Sequence, residues 1–349
     1  MCAVCRKDCS LIKSIIKKFV PPSTSMMDAR IARLERENGD LRREIDGLRS
    51  ELSANLSLIH ADICSHNLLA RNSTSRVRPF ILSVATYAPR FSSIARVFRA
   101  LCEQEILPSE THVWIPRRDA PNGLASLPHE TLSAFLEWGA RVHWVENDLG
   151  PHNKYFWIMR DSATLPVVTI DDDAVLPKTL FKTLWDVHER FPDCVVATRT
   201  HRIAFSKCEG GHKISSYREW DQEQSGCVLK PSYGLLPTGL GGVLYPAGIM
   251  PKYCFDEEAI KKTCLFGDDI WLKIMELCAG VRVVDCGCGF VQVLVDGSQE
   301  CALFHENQER ERNDVYLDNI FQYLDGHGGF GATSAEIIQR IVSAREDGE

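Results

Sequence analysis

The sequence predicts an α/β domain built on a mainly parallel sheet, carried behind an N-terminal heptad helix. Three observations lead there. Between Pro79 and about Gly329, apolar strand-like runs alternate with helical patterns, the order that builds a parallel sheet from crossover units. From Ile31 to Ile59, apolar side chains recur in alternating steps of three and four, the period of a coiled coil. The composition is that of a folded protein: 44% hydrophobic and 25% charged residues over 349 positions.

Apolar stretches are broken by Asp, Arg or Gly well before the ~18 residues a membrane-spanning helix needs. A soluble or at most peripheral protein is expected. The net charge of -7, from 40 Lys+Arg against 47 Asp+Glu, argues against bulk attraction to nucleic acid, and no such partner is expected. Fourteen cysteines are scattered through an ordinary core pattern with no cleavable signal before them, which reads as reduced thiols in the cytoplasm. Cys2, Cys5 and Cys9 form CxxCxxxC, read either as free thiols or as half of a metal site, since structural zinc usually wants a second ligand pair. Cys286 and Cys288 follow the strand-like VRVVD and read as small buried hydrophobes.

Taken in order, residues 1–22 hold a short basic amphipathic segment, SLIKSIIKKFV, with Leu11, Ile12, Ile15, Ile16 and Phe19 at helical spacing and Lys13, Lys17 and Lys18 elsewhere on the turn. It suits either an anionic membrane surface or a packing place on its own protein. Pro21 and Pro22 end it. Residues 23–60 carry the heptad, with Ile31, Asn38, Ile45, Leu52 and Ile59 at one core position and Leu34, Leu41, Leu48 and Asn55 at the other. Isoleucine at a, leucine at d and one buried Asn38 favour a parallel homodimer, against the alternative of a lone helix folding back. Residues 61–78 lose the period and read as linker.

Residues 79–330 supply the strands FILSVAT, THVWIP, RVHWVEND, PVVTID, CVVATR, GGVLYP, VRVVDC and GFVQVLV, with helices expected at 91–103, 128–138, 152–163, 177–190 and 268–279. The ligand of such a sheet is expected at the carboxyl ends of its strands. Residues 331–349 form a polar helix with an acidic end.

In PVVTIDDDAVLP an apolar strand runs straight into Asp171, Asp172 and Asp173. Three crowded carboxylates call for a cation, and oxygen-only ligands suit Mg²⁺ or Mn²⁺ with substrate phosphates. The alternative is a solvated acidic turn. A second pair, Asp268 and Asp269, follows Gly267 and opens a helix, where capping is the plain alternative. Gly239, Gly241 and Gly242 in LPTGLGGVLYPAG allow close backbone approach, but they match neither GxGxxG nor the P-loop.

FILSVATYAPRF, DLGPHNKYFWIM, VVTIDDDAVLP, LPTGLGGVLYPAG and FGDDIWLKI occur in the order and approximate spacing of GT-A type glycosyltransferases of bacterial capsule and polysaccharide loci, and they also resemble exostosin-like transferases. The resemblance covers roughly residues 79–325 and omits the heptad. It implies a GT-A fold, a Rossmann-like nucleotide-binding half fused to an acceptor-binding half. It implies metal on Asp171 and Asp173 (Mn²⁺ or Mg²⁺), with His305 as a further ligand or a structural histidine. Asp172 falls near the sugar or ribose, while Thr86, Tyr87, Arg90 and Asp148 surround the nucleoside, with core packing the alternative for Tyr87. Lys154 suits a phosphate, or is a solvated helix lysine, and His152 caps that helix. Gly241 and Gly242 line the donor, and Trp220 either stacks on an acceptor sugar or packs. Asp269 takes the position of the catalytic base, and Asp268 orients the acceptor or caps the helix.

The expected activity is metal-dependent transfer of a sugar (a hexosyl or related transfer) from a nucleotide diphosphate sugar, with a UDP-sugar as expected donor, to a glycan or lipid-linked acceptor in polysaccharide biosynthesis. Cytoplasmic placement, with contact at the inner membrane face, goes with that reading. Two alternatives stand beside it: a metal-dependent nucleotidyl- or phospho-transferring enzyme, and a coiled-coil interaction protein whose transferase domain is inactive.

Overall fold

The computed structural model describes residues 24–72, 76–161, 164–209, 211–222, 230–290, 293–295 and 312–346. The basic segment, Cys2, Cys5, Cys9 and His305 lie outside the described residues. The chain divides into two units, Met1–Asn55 and Leu56–Glu349.

The first unit holds most of helix α1 (Thr24–Asn72). Helical backbone thus continues through most of the stretch expected to be a linker, because ADICSHNLLARN loses the heptad but contains neither Pro nor Gly to stop a helix. The heptad residues from Ile31 to Ile59 for which exposure is defined lie on the surface of this helix.

The second unit is built on a seven-stranded sheet in the order β13 (Arg282–Asp285), β6 (Cys194–Ala197), β12 (Val243–Tyr245), β4 (Val167–Thr169), β1 (Val77–Ala85), β2 (Leu107–Pro116), β3 (Arg141–Val145). All neighbours run parallel except β12, which is antiparallel to both β4 and β6. The mainly parallel α/β architecture expected from the sequence is therefore the one observed.

Alternate side chains of the strands feed two cores. Cys194, Val196, Leu244 and Val284 join a core with helices α2 (Phe91–Leu101), α3 (His129–Trp138) and α5 (Leu180–Arg190). Val195, Ala197, Val243, Tyr245 and Val283 join the other, with α4 (Asn153–Arg160), α6 (Glu257–Thr263), α7 (Asp268–Ala279), α8 (Arg312–His327) and α9 (Ser334–Glu346). Both faces are covered, so the strands read as apolar runs rather than as half-polar alternation. Phe98 locks α2 to α3 through edge contacts at 5.0 Å to Phe135 and 6.1 Å to Trp138. Helix α7 stops at Gly280, which takes the left-handed conformation at φ 70°.

Short elements were not legible. Strands β7 (Thr200–Arg202), β10 (Asp221–Gln222) and β11 (Leu235–Pro237) form an antiparallel sheet, and β8 (Phe205–Cys208) pairs with β9 (Gly211–Ile214). Runs of two to four residues are too short to show a period. Of the last expected strand, GFVQVLV, Val293–Leu294 form β14, which pairs with β5 (Ala174–Val175). Cys286 is buried and Cys288 partly so, in the small-hydrophobe role expected.

From β1 the chain passes to β2 on one side, while β4 lies on the other, so the carboxyl ends of β1 and β4 flank the point where the strand order reverses. In open α/β sheets that crevice takes the ligand.

Candidate active site at the strand ends

Both acid runs of the sequence meet at this crevice. The first leaves β4 as Asp171, Asp172 and Asp173. From the end of β1, buried Thr86 donates its hydroxyl to Asp172 Oδ2 at 2.7 Å. A single 3₁₀ turn, Ala88–Arg90, then swings Arg90 back, so that its Nη1 lies 2.5 Å from Asp173 Oδ2 and 3.7 Å from Asp172 Oδ1. Thr86 and Arg90, expected around a nucleoside, are thus engaged with the aspartates; the half-buried Tyr87 accepts the Arg90 backbone N–H at 2.8 Å and shapes the turn.

Helix α7 brings the second run. Lys154, buried on α4, stands between the two with its Nζ 2.7 Å from Asp171 Oδ1 and 2.7 Å from Asp268 Oδ2. It is neither the solvated lysine nor an open phosphate contact, but an internal cation joining a strand end to a helix start. Asp268 is the first residue of this helix, directly after the N-cap Gly267. Lys154 holds its carboxyl below the usual range in spite of burial, whereas burial and the charges of Asp173 and Asp268 push Asp171 up.

Asp269 accepts the backbone N–H of Gly239 at 3.2 and 3.3 Å, one oxygen each. Burial, then repulsion from Asp268, pushes its carboxyl up to about 8. Burial likewise raises Asp172 to about 7, against Arg90 and Thr86. Gly239 is needed where it is: a Cβ there would lie 2.5 Å from Lys154 Nζ and 3.0 Å from Asp171 Oδ1. Of the three glycines it is the one at the cluster. Gly241 and Gly242, expected against the donor, instead approach protein: a Cβ would meet Thr198 and Arg199 at the first, Leu180 and Ile170 at the second.

Other expectations are corrected by packing. Trp220 is 4% exposed and donates to Ser215 O at 2.9 Å, so it presents no face to a sugar. Asp148 Oδ1 accepts from Gly150 N (2.9 Å) and Asn153 Nδ2 (2.6 Å), and Oδ2 pairs with Arg118 at 2.5 Å, which makes it the anchor of its own loop. His152 does not cap α4 with its side chain; it is buried between Tyr155 Oη (2.7 Å) and Cys264 O (3.0 Å), and burial lowers it to about 4, so it stays neutral. Sequence reading missed Arg199, whose Nη1 donates to Thr238 Oγ1 at 3.0 Å beside the glycine turn, and Tyr217, whose hydroxyl burial and the Asp269 charge hold protonated. Nothing but a lone Arg and a lone Tyr marked them.

Five carboxylates here face two buried cations, Arg90 and Lys154, and Asp268 Oδ2 is buried with an ion pair but no aligned hydrogen bond. Among the described residues no three acidic, His or Cys side chains form a ready-made cation cage. The donor set nevertheless fits Mg²⁺ or Mn²⁺ in type, because such ions take one or two carboxylates and complete their shell with water and substrate phosphates. Asp171 and Asp173, the ligands the family resemblance implies, both stand in this cluster, paired with Lys154 and Arg90.

The raised carboxyls make stability pH-dependent. Their folded pKa values lie above the ~3.9 of an unfolded aspartate, so each favours the fold while protonated, and that contribution is lost as pH rises toward 7 to 8. We expect the metal-free Tm to fall between about pH 5 and about pH 9, and to fall less steeply in Asp269→Asn, whose amide has no charge to desolvate. Parallel profiles for the two proteins would show that Asp269 is not buried as charge.

Fold and site together define a doubly wound α/β domain with an acidic cluster at the switch point of its sheet. No family model and no curated protein matches the sequence. Among solved structures the chain is similar to S. aureus TarS 1–349 in complex with UDP, at 12% identity over 72% of this chain and 72% of that one, TM-score 0.38. It is similar to the mannosyltransferase PcManGT from Pyrobaculum calidifontis in complex with GDP-Man and Mn²⁺, at 14% identity over 85% and 80%, TM-score 0.41. It is also similar to a UDP-glucose pyrophosphorylase complexed with UDP-glucose, at 9% identity over 71% and 99%, TM-score 0.35. These slight likenesses include both transferases and a pyrophosphorylase.

Proposed function

We propose that this chain is a metal-dependent glycosyltransferase that moves a sugar from a nucleoside diphosphate sugar, a UDP-sugar in the first instance, to a hydroxyl of a glycan or lipid-linked acceptor in polysaccharide biosynthesis. The observation that carries the proposal is the convergence of Asp171–Asp173 with Asp268–Asp269 at the switch point, through Lys154 and Gly239. In this reading residues 79–330 are the catalytic domain.

Asp171 and Asp173 would hold the metal ion, which would offset the charge that builds on the departing diphosphate. Asp172, held by Thr86 and Arg90, contacts the ribose or sugar. Asp269 is the base that takes the proton from the acceptor hydroxyl; a carboxyl at about 8 is close to the working pH, where a general base is most effective. Asp268, clamped by Lys154, sets the direction of Asp269 at the helix start. Among the described residues no helix is long and apolar enough to cross a membrane. The proposed setting is the cytoplasmic side, with peripheral contact at the membrane.

The test is a screen of nucleotide sugars with Mn²⁺ for thermal stabilisation, since a ligand bound only by the folded state raises Tm in step with its affinity. Asp171→Ala leaves Lys154 paired with Asp268, and Asp173→Ala leaves Arg90 facing Asp172, so both variants should fold and lose Mn²⁺-dependent donor binding in calorimetry. Unchanged affinity in both rules out the metal assignment. Turnover of the donor at its phosphates without acceptor-dependent sugar transfer would favour a nucleotidyl- or phospho-transferring enzyme. Failure of every nucleotide sugar to bind would favour an interaction protein.

A further inference from the structure

Helix α1 leaves a long apolar seam uncovered. Ile31, Leu34, Leu41, Ile45, Leu48 and Leu52 are between 47% and 60% exposed, and they line one stripe of roughly 32 Å at 1.5 Å per residue. Gly39 and Gly47 sit inside the same helix, where a Cβ would meet nothing within 4 Å beyond the helix's own backbone, and each costs about 1 kcal/mol of helix propensity relative to Ala. A helix so weakened, with so much apolar surface, gains from a partner that covers the seam.

The charges beside the seam say which partner. With Ile31 and Leu34 as the first a and d residues, Arg30, Glu37, Glu44 and Glu51 take the g positions, and Glu35, Arg42 and Arg49 take e. In a parallel, in-register pair each g residue meets the e residue five positions on in the other copy. Arg30 then faces Glu35, Glu37 faces Arg42, and Glu44 faces Arg49, every pair of opposite sign. An antiparallel pair brings g against g and e against e, where three of the four g residues are Glu and two of the three e residues are Arg. The existing i,i+4 pair of Glu37 with Arg33, 3.4 Å apart and well exposed, is weak enough to exchange.

We propose that α1 pairs with a second copy of this chain in a parallel, in-register coiled coil whose direction is set by these three pairs, with Asn38 against Asn38 fixing the register. Both chains then leave the coil from the same end.

Light scattering of the full chain should give a dimer. Glu37→Arg with Glu44→Arg puts five arginines along the seam of each copy, the new pair joining Arg30, Arg42 and Arg49, and should abolish that dimer, as should Arg42→Glu with Arg49→Glu, while mixing the two variants should restore a heterodimer. Direction is read from Arg42→Lys and Arg49→Lys, which keep the charge, in mixed isotope-labelled copies: carbodiimide should link Glu37 of one copy to Lys at 42 of the other, and Glu44 to Lys at 49. A monomeric full chain overturns the pairing. Dimers that persist in both reversed variants overturn the role of the charges. A dimer in which neither link forms between copies overturns the parallel register.

Discussion

Asp269→Asn should lower kcat by ~10²–10⁴-fold while donor affinity stays close to wild type. The amide keeps the shape of the carboxylate and its bond to Gly239 N, so the loss isolates the proton-accepting step. The metal-binding aspartates cannot serve instead. Asp171 and Asp173 stand with the diphosphate in the proposed site, whereas an inverting attack needs its base on the side away from the leaving group. The readout is steady-state kinetics with Mn²⁺ saturating, alongside calorimetric donor binding. If Asp268→Asn lost turnover and Asp269→Asn did not, the base would move to Asp268. Full activity in both would end the inverting mechanism.

The second large effect concerns stability. Lys154→Met takes the counter-charge from Asp171 and Asp268 at once, leaving the buried Asp268 carboxylate facing the part-buried Asp171. Breaking such a pair costs ~3–5 kcal/mol, or roughly 5–15 °C in Tm for a domain of this size. Burial already raises Asp171 against this lysine, so without it the carboxyl is the more easily protonated; the deficit should therefore shrink toward pH 5 and grow toward pH 9. Lys154→Arg should not restore the protein fully, because the space beside Nζ is closed by Gly239. Adding Asp171→Asn and Asp268→Asn to Lys154→Met should recover most of the loss. A variant within about 1 kcal/mol of wild type at neutral pH would show that the lysine is not the counter-charge of the cluster.

What the sequence determined by itself was everything carried by local pattern. Helix 268–279 was legible to the residue, because Asp268 and Asp269 after Gly267 open a helix and Gly280 ends it. The core strands were legible because both faces of the sheet are buried, which leaves them as uninterrupted apolar runs. The heptad and its flanking charges are a one-dimensional code, readable without a fold.

Only the tertiary structure decided what faces what. Lys154 reads as a surface helix residue until α4 packs beside β4 and α7, which sets its ammonium between carboxylates 17 and 114 positions away in the chain. Gly239 and Asp269, 30 residues apart, meet for the same reason. The family resemblance implied ligand contacts for Trp220 and Asp148; packing buries Trp220, and Asp148 is taken up by partners in its own loop. Residue type limits which interactions a side chain is able to make; which of them it does make depends on burial, and burial is a property of the assembled layers rather than of any stretch of chain.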